Sequence, residues 1–84
     1  MKFSELDHVI LKWNLHYEDD GVGDLTAGTW GVIVDLNEQN SNWATVEFFE
    51  REVNEEGFWD TICVICVKLS LLELTKKRYA KLSL

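Results

Sequence analysis

The chain has 84 residues and a formal net charge of -7, with 46% apolar and 12% aromatic side chains, enough for one small domain and not for two. No run of about 18 apolar residues exists, which excludes a membrane-spanning helix. The start MKFSELDHVI lacks the apolar core of a signal peptide, so a cytoplasmic protein is expected.

The elements are expected in this chain order. Residues 8–14 (HVILKWN) read as a first short strand. Residues 15–28 (LHYEDDGVGDLTAG) are polar and glycine-containing, and read as a long loop. Residues 29–36 (TWGVIVDL) form the second strand, and NEQNSN at 37–42 is turn chemistry. Residues 43–49 (WATVEFF) form the third strand. EREVNEEG at 50–57 is a charged hairpin tip, and residues 58–68 (FWDTICVICVK) form the fourth strand. Residues 70–72 suit a single helical turn, with a fifth strand or irregular tail over 73–79; the alternative is a C-terminal helix over LSLLELTKKRYAKL.

Five short strands with a long first loop predict an all-β fold, a small five-stranded SH3-like barrel forming a single domain over 1–84. Alternation assigns Val9, Leu11 and Trp13 to the core, with Val32, Val34 and Leu36, and with Ala44, Val46 and Phe48. Ile33 and Asp35 then face outward. Gly28 is expected to make the turn into the second strand. Gly31 lets that strand cross a neighbour closely, and Trp30 covers the barrel mouth or upper core.

The stretches FSELDHVIL, AGTWGVIV, TVEFF and VICVKLSLLEL resemble an uncharacterised bacterial family of short SH3-like barrel proteins. GDLTAGTWGVIV is also similar to the glycine-containing loop–strand element of small SH3-like barrels, including the KOW type. The resemblance covers most of the chain through short motifs, and departs from the family in its longer acidic first loop, its EREVNEEGFW tip and its basic tail. It implies the barrel, and it implies a small protein without assigned activity, of the kind that mobile gene cassettes encode or that partners toxins.

No motif for catalysis stands out. Cys63-Val-Ile-Cys66 is a lone CxxC, and residues three apart on a strand point to opposite faces, so no shared metal is expected. The two cysteines fit a reducing compartment. His8 and His16 lack a nucleophile beside them, the serines stand in no elbow context, and Glu18, Asp19, Asp20 and Asp24 do not follow EF-hand spacing. The expectation is a non-enzyme without cofactor or metal.

Charge divides the chain. Residues 1–60 hold 14 acidic and 3 basic side chains, and residues 61–84 hold 1 acidic and 5 basic. A KOW-like nucleic-acid-binding role would rest on Lys76, Lys77, Arg78 and Lys81 alone, against an acidic body that repels phosphate, which places it second. The apolar surplus favours protein binding. In the fourth strand Trp59, Thr61, Cys63, Ile65, Val67 and Leu69 form one apolar set and Ile62, Val64 and Cys66 another, although a barrel buries only one. The outward set, with Trp43 and Phe49 as aromatic anchors and Ile33 adding to it, is expected to hold a homodimer or another protein. The rival is a lid made by Leu71, Leu72, Leu74, Leu82 and Leu84.

Overall fold

Strands account for most of the computed structural model, which describes residues 3–18, 21–37 and 39–75. They are β1 (His8–Leu11), β2 (Leu15–Tyr17), β3 (Gly23–Leu25), β4 (Trp30–Leu36), β5 (Trp43–Val53), β6 (Trp59–Lys68) and β7 (Leu72–Leu74). A single 3-10 turn, Leu69–Leu71, precedes β7. The main sheet is antiparallel with order β6-β5-β4-β1-β7, and β2 and β3 form a separate hairpin. The all-β expectation holds at this level.

Several boundaries differ from the sequence reading. The stretch 15–28 is not an unstructured loop but carries the β2–β3 hairpin, paired Leu15↔Leu25, His16↔Asp24 and Tyr17↔Gly23. The first strand ends at Leu11, so Trp13 falls in the bend beyond it and is 63% exposed rather than inside. The third strand continues to Val53, which shortens the hairpin tip to the turn after it. There the Asn54 side chain accepts from the backbone N–H groups of Glu56 and Phe58, as a turn-forming Asn does. Strand pairing near the C-terminus begins at Leu72, with Val9↔Leu74 and Leu11↔Leu72, so LSLLEL is turn and strand rather than helix. The remainder of the expected fifth strand, or of the helix in the alternative, lies outside the described residues.

The core forms between the inner face of the sheet and the elements folded over it. Val9, Leu11, Ile33, Ala44, Val46, Phe48, Cys63, Ile65, Val67 and Leu72 are all buried, joined by Leu25 from the hairpin. Alternation placed β1 and β5 correctly up to Leu11 and Phe48. It inverted most of β4, where Ile33 is fully buried and Val34 exposed. The cause is a bulge. Ile33 pairs with Val46 and Asp35 with Thr45, so Val34 is an extra residue and counting back from Leu36 lands on the wrong face.

A second bulge sits in β6. Phe48 pairs with Cys63 and Phe49 with Thr61, leaving Ile62 extra. It turns Ile62 to the core side, where it packs against the buried cluster, so the outward assignment of Ile62 is corrected. Thr61 moves the opposite way. Its hydroxyl bonds the Glu47 carboxylate on the outer face.

Both glycines act on the backbone. Gly28 has φ of 94°, a left-handed conformation that side chains disfavour, in the turn closed by Thr29 N–H donating to the Thr26 carbonyl at 3.1 Å. Gly31 needs room instead. A Cβ there would lie 2.6 Å from the Glu47 carbonyl oxygen and 2.8 Å from Val46 Cγ1. Neither backbone nor buried valine can yield that distance cheaply. Gly31→Val is therefore expected to lower unfolding stability by at least about 3 kcal/mol, read as the midpoint shift of a urea or thermal melt; an unchanged midpoint contradicts the close approach.

Candidate functional site

Because Gly31 faces the core, Trp30 must face outward, since successive residues of a strand alternate. It is nevertheless only 3% exposed. Neighbouring strands bury it on the outer face. Phe49 of β5 stacks on its ring at 4.5 Å between centroids and 18° between planes. Trp59 of β6 meets it edge-on at 5.2 Å, and His8 of β1 lies tilted at 5.7 Å. The indole N–H donates to the Glu50 carbonyl at 3.1 Å. Each such ring pair adds about 0.5–1.5 kcal/mol beyond the area it buries. Trp30 thus forms a second apolar centre, separate from the main buried cluster, and not the cover of a barrel mouth.

The outer face continues along β6 from this aromatic centre. Val64, opposite Glu47, is 40% exposed, and Cys66, opposite Thr45, is exposed. Trp43 begins β5 opposite Lys68, whose Nζ stands 5.7 Å from the ring centroid. The expected interface residues therefore do not form one compact patch. Phe49 belongs to the aromatic centre, Val64 lies midway, and Cys66 and Trp43 mark the other end. Ile62 and Ile33 are on the core side. The candidate residues missed in the sequence are Trp30 and Trp59. Both begin strands, in TW and FW pairs, and correct parity at Gly31 would have turned Trp30 outward.

Of the open clefts beside the hairpin among the described residues, two also touch the body of the sheet. One, of about 510 Å³, is rimmed by Asp24, Glu50, Glu52 and Asp60 around Leu25 and Ile62. Arg51 crosses it, donating to the Ala27 carbonyl at 2.9 Å and the Thr26 hydroxyl at 3.3 Å, which ties the long β5–β6 arm to the turn at Gly28. The other, of about 330 Å³, is an apolar groove between Leu15 and Tyr17 of the hairpin and Trp43, Val67 and Leu71 of the body. The lining of the second also includes His16, Glu18, Cys66 and Lys68. Among the described residues no group of three His, Cys, Asp or Glu side chains is placed to hold a metal ion. Cys63 is buried and Cys66 exposed. Lys76, Lys77, Arg78 and Lys81 lie outside the described residues, as do Leu82 and Leu84 of the expected lid.

The chain matches no protein-family model, no curated protein and no solved structure.

On the hairpin, His16 sits between two carboxylates. His16 Nδ1 lies 2.9 Å from Asp24 Oδ1 across the strand pair, and Nε2 lies 3.1 Å from Glu18 Oε2. Hydrogen bonds first to Asp24 and then to Glu18 raise its pKa above 6.5. Only the protonated ring donates through both nitrogens. With the folded value above the unfolded one, the stabilisation is complete below 6.5 and is lost as pH rises through the folded pKa. The melting temperature of the wild type relative to His16→Gln should therefore shrink as pH rises past this window. A difference that stays constant across it would show that the clasp contributes nothing.

Proposed function

We propose that this chain is a non-catalytic binding protein of SH3-like barrel type whose outer sheet face receives another protein, in the first instance a second copy of itself. The barrel reading is supported by a five-stranded antiparallel sheet in which the last strand returns beside the first, by the long first hairpin packed over the core, and by Leu72 of β7 and Leu25 of the hairpin sharing one buried cluster. The resemblance to short bacterial SH3-like proteins, with their links to mobile cassettes and toxin partners, agrees with this reading.

The observation that carries the binding role is the apolar outer side of β6 and its neighbours. Val64, Cys66 and Val34 are exposed on or beside it. Burying a side chain such as Val64 is worth roughly 1.5–3 kcal/mol relative to leaving it in water. The chain itself does not cover this side over the described residues. The described part of the segment expected to act as a lid lies at the opposite edge, where Leu72 enters the core and Leu74 pairs with Val9. A two-fold dimer covers the same surface on both copies at once.

The nucleic-acid alternative gains little support. The described cations are Lys12, Arg51 and Lys68, and the last two are already engaged, Arg51 in the turn at Gly28 and Lys68 over Trp43. A phosphate-binding stripe needs several cations on one face.

Sedimentation velocity across micromolar concentrations is expected to give a dimer, and Val64→Glu to give a folded monomer with an unchanged circular dichroism spectrum. A wild-type monomer throughout that range overturns the second-copy reading. A folded Val64→Glu dimer moves the interface off this face.

A further inference from the structure

We propose that the chain's own segment 76–84 docks on a strained apolar corner made by Leu6 and Val34, with Tyr79 against the two side chains and the cations of the segment beside Glu5, Asp7 and Asp35. This goes beyond the second-copy reading and leaves Val64 and Cys66 open.

The corner begins with a backbone that does not suit its residue. Asp7 N–H donates to the Ser4 carbonyl at 3.1 Å, which closes a turn with Leu6 at its third position. Leu6 has φ of 72°, in the left-handed region that glycine or asparagine normally occupies, and it is the only non-glycine there among the described residues. The turn is held against relaxation. Leu6 N–H donates to the Ile33 carbonyl at 2.7 Å, Ile33 N–H donates to the Asp7 carbonyl at 3.0 Å, and Ser4 N–H donates to the Asp7 carboxylate at 2.7 Å. Leu6 and Asp7 therefore oppose Ile33 together, in a bulge whose first residue is usually glycine. Val34, the extra residue of the pairing with β5, follows Ile33 directly. Both irregularities leave an apolar side chain in water, Leu6 at 74% exposure and Val34 at 41%. A leucine that strains its turn and buries so little has no explanation in the described fold, whereas a segment covering it supplies one.

Chain direction and charge name the segment. β7 runs antiparallel to β1, with Leu74 opposite Val9 and Thr75 N–H donating to the His8 carbonyl at 3.0 Å. The chain thus leaves Thr75 heading toward Asp7 and Leu6. Residues 76–84, which lie outside the described residues, read KKRYAKLSL, with four cations and no anion. The corner has the opposite sign. Glu5 and Asp35 are exposed and Asp7 is half-buried, and none of the three meets a cation among the described residues. Lys76, Lys77 and Arg78 come first, and Tyr79 follows within about 13 Å of extended chain beyond Thr75, which is ample to reach Leu6.

The full chain tests this through Leu6→Gly, which keeps the turn and removes the contact. An uncovered leucine loses only strain on this change, and the melting temperature rises. A covered one loses its contact as well. The change in melting temperature on Leu6→Gly should therefore be lower in the wild-type background than in a Tyr79→Ser background, where the contact is already gone. Equal changes in the two backgrounds overturn the proposal. Tryptic cleavage after Lys76, Lys77 and Arg78 under native conditions should be about tenfold faster in Leu6→Gly than in the wild type. Equal cleavage rates overturn docking at Leu6. Wild-type protection that grows with protein concentration means that the segment comes from a second copy, and overturns docking within the chain.

Discussion

The contact of Gly31 with the β5 backbone sets the parity of the sheet. A Cβ at that position has no space between the Glu47 carbonyl and the Val46 side chain, so β4 lies against β5 with nothing between them. Once Gly31 faces the core, Ile33 follows it inward and Trp30 is turned out. The outward indole then finds Phe49, Trp59 and His8 on three neighbouring strands. One missing side chain on the inner face therefore creates the aromatic centre on the outer one. The inner packing of Ile33 and the outer aromatic centre at Trp30 share this cause.

The bulges do a second job. The one at Val34 returns Leu36 to the core side after Ile33, and the one at Ile62 turns Asp60 and Ile62 toward the cleft while Trp59 and Thr61 stay outside. Bulges strengthen twist and bend the strand that carries them. The pairing of β5 with β6 shifts again between Phe49 and Val53, so irregularities fall on both sides of β5. Arg51 then fastens the end of the long β5–β6 arm to the Gly28 turn, which requires both the left-handed backbone of Gly28 and the absence of a side chain in the path of the guanidinium.

What was legible in the sequence follows the same division. Strand existence was clear, because runs such as WATVEFF and TICVICV are β-rich and bounded by turn residues. The inward set Ala44, Val46 and Phe48 was correct because no bulge interrupts it. Cys63, Ile65 and Val67 were correct for the same reason. Faces failed at Val32, Val34 and Ile62, since a bulge arises from how two strands pair and leaves no mark in either strand's own alternation. The β2–β3 hairpin was missed because its three-residue strands sit among acidic and glycine residues. Leu25 enters the core, Leu15 and Tyr17 pack against it, and His16 meets Asp24 across the strands; three residues are too short an alternation to stand out. Of the candidate site, Val64 and Cys66 were read from the apolar surplus of β6. Trp30 and Trp59 needed the parity at Gly31.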